Sequence, residues 1–242
     1  MVGGLLVLWD IDLTLIRTDG VATEAYAAAL ERTVDQRWRG DLKFNGLTER
    51  AMAERVLRMH DVEPTVELVD EFLVRIVEEL HLRADLMRDR GRALTGAAEA
   101  LAALAEESGI RQSVLTGNVR SVAELKLAAF GLGTWVDFTI GAYGDDDHER
   151  TALLPHAWQR TKDRHGESYS PAETVLIGDT PRDVEAALAH GAGIVAVASG
   201  NNSAADLAAA GANVVLDDLG DTKGVLAAIR EAAAHATVNN GR

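Results

Sequence analysis

The sequence predicts an α/β fold: a doubly wound parallel sheet of Rossmann-like layout, into which an all-helical domain is inserted. Three observations predict it. Short, unbroken apolar runs recur at residues 5–9, 175–177, 194–197 and 214–215, and Ser113-Val114-Leu115 gives a further strand-like segment; such runs read as strands covered on both faces. Helical apolar spacing fills the intervals between the later runs, which is the strand–helix alternation of a parallel sheet flanked by helices. Between residues 17 and 93 that alternation stops, and only helical patterns remain.

The elements follow in order. The run at residues 5–9, preceded by Gly3-Gly4, is the first strand; it is too short for a secretory signal and lacks a basic lead. Helices are expected over residues 21–33, 48–59 and 66–82, the last with Leu68, Phe72, Ile76 and Leu80 along one face. The alternation resumes at Leu94 with a helix at 97–107, the strand ending at Leu115, and a helix to Phe130 that Gly131 stops. A strand at 138–140, a helix around Ala157, the strand 175–177 and a helix at 182–190 come next. Gly191 then leads into the strand 194–197, a short helix near Ala205, the strand 214–215 and a last helix at 225–234. Residues 1–16 and 94–242 are thus expected to form the α/β domain and residues 17–93 the helical one, hinged near 17–20 and 89–94.

Composition narrows the partners. At 242 residues the chain has room for one full core and a modest accessory domain. Its formal net charge of −14 argues against a nucleic-acid partner, which clustered Lys and Arg would have to bind. No apolar run approaches the ~20 residues of a membrane span, so no membrane partner is expected. The absence of cysteine excludes disulfides and thiolate chemistry and fits a cytoplasmic protein. A monomer or weak homodimer is expected.

Chemistry concentrates where the strands end. Asp10 and Asp12 close the first run, with Thr14 behind them; by themselves they could equally form an Asx turn or cap a helix. The run 175–177 repeats the pattern with Gly178, Asp179 and, after a turn, Asp183. The run 113–115 ends in Thr116-Gly117-Asn118, a hydroxyl and an amide with a glycine that lets backbone N–H groups approach an anion. Ligands of such sheets bind beyond the carboxyl ends of the strands. Acid delivered there by two buried strands points to one metal site, and a divalent cation would let an acidic protein hold an anion.

In these residues the chain resembles the haloacid dehalogenase superfamily of Mg-dependent phosphohydrolases, in its phosphoglycolate-phosphatase-like subgroup with a helical cap. Asp10-Ile11-Asp12-Leu13-Thr14 matches the first motif, Thr116 the second, and Gly178-Asp179-Thr180-Pro181-Arg182-Asp183 the fourth, in the same order. The resemblance implies an α/β core with residues 17–93 as the cap, and a phosphatase acting on a small phosphorylated metabolite. It implies Asp10 as nucleophile, through an aspartyl-phosphate, and Asp12 as general acid and base, its protonated form favoured by repulsion from Asp10. Mg²⁺ would sit on Asp10, the backbone carbonyl of Asp12 and Asp179, with Asp183 acting through water or from behind them. True dehalogenases of the family lack an acid at the position of Asp12, which argues against dehalogenation. A phosphonate hydrolase would need a cap lysine, and Lys43 is the only one. A phosphomutase, which shares the core motifs, and a non-catalytic relative that binds a phosphorylated ligand remain as alternatives.

The third motif is where the sequence departs. The family places a lysine after the strand that follows Thr116, and none occurs between Val136 and Thr161. Arg150 stands in that interval, close to a helix N-terminus, where a cation is unfavourable unless it answers to an anion. Pairing with Asp145, Asp146 and Asp147 is its other reading. The rival is Lys126, about seven residues into its helix and roughly 10 Å from the phosphate end, where snorkelling over the core edge accounts for it. Residues 45–50, with Gly46 and Thr48, resemble a cap loop that meets substrate; a turn with Thr48 as helix cap and Glu49 and Arg50 solvated fits equally. Thr14 is expected to orient Asp10 or Asp12, and Asn118 to donate to phosphate or cap its helix.

Overall fold

The computed structural model describes residues 4–40 and 46–240, the last four of these by backbone alone. Lys43 and Asn45 lie outside the described residues.

The first apolar run is β1 (Leu5–Trp9), followed by the two-residue β2 (Ile16–Arg17). Four helices come next: α1 (Val21–Val34), α2 (Glu49–Met59), α3 (Val66–Leu82) and α4 (Ala84–Arg90). The chain then returns through β3 (Arg92–Ala93), α5 (Ala97–Glu106), β4 (Ile110–Val114), α6 (Arg120–Ala129) and α7 (Leu153–His165). It closes with β5 (Thr174–Gly178), α8 (Pro181–Leu188), β6 (Gly193–Val197), α9 (Ala204–Ala209), β7 (Val214–Leu216) and α10 (Thr222–Asn240).

Five strands pair in parallel in the order β4-β1-β5-β6-β7. Alternate side chains of β1 enter different cores, as a strand with a repeat of two requires. Val7 and Trp9 pack with Leu101, Leu104 and Ile229 on one face, and Leu6 and Leu8 with Leu154, Val184 and Ala187 on the other. Burial on both sides explains why β1, β5 and β6 read as unbroken apolar runs, whereas the edge strand β4 carries Arg111, Gln112 and Ser113. Register then sets the chemistry: Trp9 lies opposite Val114 of β4 and Ile177 of β5, so residues 10, 115 and 178 leave the sheet side by side at its carboxyl edge.

The helices α1 to α4 share a separate apolar core of Leu30, Val56, Phe72, Ile76 and Met87, to which α6 adds Val122. The expected hinge segments are in part ordered into a ribbon: β2 and β3 pair antiparallel, Ile16 opposite Ala93 and Arg17 opposite Arg92. Neither this ribbon nor α4 carries a run long enough to register as a repeat.

The expected strand at 138–140 does not form. Turn chemistry overrides the two apolar residues, Phe138 and Ile140: the Asp137 carboxylate accepts from the backbone N–H and hydroxyl of Thr139, and Tyr143 donates its hydroxyl to the Phe138 carbonyl. A single bridge between Leu115 and Ala142 is all that remains of pairing there. No helix among the described residues is long and apolar enough to cross a membrane.

Candidate active site

The chain turns sharply as it leaves β1. Asp10 donates its backbone N–H to Ile177 (2.8 Å), and the N–H groups of Leu15 and Ile16 both return to the carbonyl of Ile11 (2.9 and 3.1 Å). Ile11, Leu15 and Ile16 anchor the turn in the core, while Leu13 takes a left-handed φ of 65°, a conformation that costs a non-glycine residue about 1 kcal/mol or more. The outcome is that Asp10 and Asp12 both line one cavity of about 800 Å³.

Asp179 and Asp183 reach the same place from β5 and α8. Asp183 serves two groups at once: Oδ2 accepts from the N–H and hydroxyl of Thr180 (3.0 and 2.7 Å), closing a capping box on α8, and Oδ1 meets Arg150. Gly178 makes this possible, because a Cβ there would lie 2.2 Å from Cγ of Asp183. Thr14 donates to Asp179 (3.2 Å) and not to Asp10 or Asp12 as expected, since the turn carries it past the end of β1 towards the end of β5. Asp10, Asp179 and Asp183 each offer an oxygen within 4.8 Å of the others, all buried. Burial, with repulsion from Asp10 and Asp183, pushes the Asp179 carboxyl up to about 9. Burial likewise pushes Asp10 up to about 7, although Arg150 opposes it. An all-oxygen donor set in which negative charge is costly is chemically suited to a hard divalent cation.

Two cations enter, each from a different element. Arg150, in a short 3₁₀ turn ahead of α7, is buried and gives one nitrogen to Asp10 (2.7 Å) and Asp183 (2.5 Å). It does not pair with the acidic run: Asp146 binds Arg160, Asp145 accepts from the N–H of Arg120, and Asp147 from that of Glu149. The snorkelling reading of Lys126 is overturned. Its side chain is buried, and Nζ lies 2.9 and 2.6 Å from the two Asp12 oxygens and 2.6 Å from Oδ1 of Asn118. Side chains lean towards the N-terminus of their helix, so a long lysine on the second turn reaches back to the site that its Cα falls short of. Asp12 therefore faces a cation as well as the Asp10 charge, which the expectation based on repulsion alone left out.

Thr116 and Asn118 complete this network. Asn118 Nδ2 donates to Asp12 (2.8 Å) and to the Thr116 hydroxyl (2.9 Å), so its side chain is committed to Asp12 and does not cap α6. Gly117 is needed for packing: a Cβ would lie 2.1 Å from the carbonyl oxygen of Leu47, which rests against it. The loop from the helical segment is thus laid directly on the loop after β4, and Gly117 accepts from the N–H of Glu49 (2.7 Å). Gly46 lines the cavity and its carbonyl accepts from Arg150 (3.3 Å). Thr48 does not line this cavity. Its hydroxyl caps α2 through the N–H of Ala51 and donates to the carbonyl of His148 (2.8 Å).

A family model described as haloacid dehalogenase-like hydrolase matches residues 5–191. The chain belongs to the haloacid dehalogenase-like hydrolases. Solved structures share its fold. A hydrolase from Pseudomonas syringae aligns with a TM-score of 0.70 at 21% identity, over 93% of this chain and 99% of that one. A predicted phosphatase from Clostridium acetobutylicum gives 0.71 at 18% identity, over 93% and 99%. A predicted phosphoglycolate phosphatase from Haemophilus somnus gives 0.63 at 16% identity, over 93% and 98%. No curated protein matches the chain in sequence.

The cavity includes one acid, Glu49, for which the sequence left open a substrate-facing loop or a solvated helix start. Glu49 is 5% exposed, lines the cavity, and accepts from the N–H of Val119 (2.7 Å) and from the Tyr26 hydroxyl. Its position at the first turn of α2 looked like a solvated helix start; only the docking of that helix on the loop after β4 buries it. Burial pushes its carboxyl from 4.5 up to about 7. The folded protein therefore holds a proton that the unfolded chain releases above pH 4.5. The favourable contribution is full below that pH and is lost as pH rises through 7, a change on the order of 3 kcal/mol. Glu49→Gln is expected to match the wild-type melting temperature at pH 5 and to exceed it by several degrees at pH 8. Parallel melting curves across that range would contradict the assignment.

Proposed function

We propose that this hydrolase is a Mg²⁺-dependent phosphatase of a small phosphorylated metabolite, working through an aspartyl-phosphate on Asp10. The observation that carries the proposal is the convergence on one cavity of Asp10 and Asp179, with Asp183 beside them, and of Asp12 as a second acid one turn away. Solved relatives described as phosphatases support the reaction class.

In-line phosphoryl transfer needs a nucleophile, a proton donor and charge compensation. An Asp10 oxygen attacks phosphorus as the bond to the leaving oxygen breaks, and Asp12 delivers a proton to that oxygen. Water then attacks the aspartyl phosphate, Asp12 takes its proton, and Asp10 is regenerated with release of phosphate. Asp10, Asp179 and the Asp12 backbone carbonyl would hold Mg²⁺, with Asp183 behind them. When bound, the ion compensates charge on the phosphoryl group.

Arg150 takes the part of the third-motif cation, supported by its contact with Asp10. Lys126 and Asn118 position Asp12, and Thr116 with the Gly117 backbone faces the phosphoryl oxygens. Residues 17–93 act as the cap. A cysteine-free chain supports a cytoplasmic setting.

The test is release of inorganic phosphate from p-nitrophenyl phosphate by the purified protein. With Mg²⁺ present hydrolysis is expected, and a chelator should reduce it by about 10²-fold or more, reversibly on adding Mg²⁺ back. A rate indifferent to the chelator, or halide release from a 2-haloacid in place of phosphate release, would overturn the proposal.

A further inference from the structure

The cavity that holds Asp10 is lined by charged groups whose pairing is uneven. Three cations line it. Arg150 is buried and paired with Asp10 and Asp183, and Lys126 is buried and paired with Asp12, whereas Arg17 is half-exposed and stands 3.4 Å from Asp19, which also meets Arg92. Glu49 is the exception among the acids of the helical segment that line the cavity, because no cation lies within ion-pair distance of it among the described residues. Its partners are two neutral donors, the Val119 N–H and the Tyr26 hydroxyl. An ionised carboxylate has about four lone-pair sites, so Glu49 keeps acceptor capacity inside the cavity.

From this we infer that the leaving group of the substrate carries hydrogen-bond donors, hydroxyl or amine, and no carboxylate, and that Glu49 enforces this choice. The inference rests on the phosphatase reading above. A hydroxyl or ammonium group can donate to Glu49 without disturbing any ion pair. Above about pH 7, where Glu49 has lost its proton, a carboxylate would meet it as a like charge in a buried wall, and the two buried cations, Arg150 and Lys126, are already paired. Phosphoglycolate, whose leaving group is a carboxylate of two carbons, is the ester that this arrangement rejects, although a solved relative is described as a predicted phosphoglycolate phosphatase. Discrimination of this kind is strong because the mismatched ligand leaves buried polar groups opposed or unpaired.

The experiment compares kcat/KM at pH 8 for phosphoglycolate, glycerol 1-phosphate and O-phosphoethanolamine, with p-nitrophenyl phosphate as the reporter of phosphoryl transfer itself. Glycerol 1-phosphate or O-phosphoethanolamine is expected to exceed phosphoglycolate by about tenfold or more. The relative rates of these two separate a hydroxyl-bearing from an amine-bearing leaving group. In Glu49→Gln the amide keeps an acceptor for Val119 and places a donor in the wall, so the ratio should fall by about tenfold. Phosphoglycolate turned over as well as the other two by the wild type, or a ratio unchanged in Glu49→Gln, overturns the inference. Absence of p-nitrophenyl phosphate hydrolysis would sink the phosphatase reading instead. Calorimetric affinities of Asp10→Asn protein for the same three esters would then still decide the selectivity: tighter binding of the donor-bearing esters supports it, and equal or tighter binding of phosphoglycolate, or no binding, defeats it.

Discussion

Asp10→Asn is expected to reduce hydrolysis of p-nitrophenyl phosphate by about 10⁴-fold or more, the scale on which loss of a nucleophile acts. The amide is close to the carboxylate in shape, and its oxygen can still accept from Arg150, which meets Asp10 at 2.7 Å. What it lacks is a nucleophilic oxygen able to form the acyl phosphate. The substitution also removes a buried acid that burial has already pushed up to about 7, so the fold should not suffer. Phosphate release and a thermal melt on the same sample check both halves. Retention of full rate would remove Asp10 from the nucleophile's role, whereas loss of rate together with loss of the melting transition would leave only a folding defect.

Arg150→Ala is expected to be the most destabilising single change in the site. The Arg150 side chain is 4% exposed and stands between Asp10 at 8% and Asp183 at 3%. Removing it leaves two carboxylates in a dry environment without their shared cation, a loss of about 3–5 kcal/mol for a broken buried pair. For a chain of this size that lowers the melting temperature by roughly 10 °C, and added Mg²⁺ should restore part of it by binding the same carboxylates. Hydrolysis should fall by about 10²–10³-fold, as when one donor to a developing charge is lost. Lys126→Ala gives the contrast. Its partner Asp12 has a side chain 38% exposed, so water can take over much of the lost interaction and the melting temperature should change less. A thermal melt with and without Mg²⁺ reads the difference; Arg150→Ala melting within a degree or two of wild type would show that the bridge contributes little.

The physical source of each feature decides how legible it is in the sequence. The inner strands β1, β5 and β6 are visible because double-sided burial demands unbroken apolar runs, the edge strand β4 only by its apolar end at Val114, and α3 because seventeen residues give the helical repeat time to appear. The ribbon of β2 and β3 is two residues per strand and carries no repeat. At 138–140 the opposite error arises: Phe138 and Ile140 around Thr139 imitate a strand, and the Asp137 side chain ties them into a turn. In the site, Asp10, Asp12, Thr116, Asp179 and Asp183 are legible because each follows a strand directly or through one turn. Thr48 misleads because a helix cap and a ligand-binding threonine have the same local sequence.

What the sequence determines by itself is therefore the set of acids at the sheet's carboxyl edge, since chain continuity after a buried strand leaves them nowhere else to be. Which charge meets which acid is a property of the tertiary structure. Arg150 reaches Asp10 across 140 positions of sequence and Lys126 reaches Asp12 across 114, and α2 must dock on the loop after β4 before Glu49 becomes a buried acid in the cavity wall. Local patterning fixes an element and its buried face. The reach of a long side chain, and the desolvation that gives a carboxylate its chemistry, exist only once distant elements have packed.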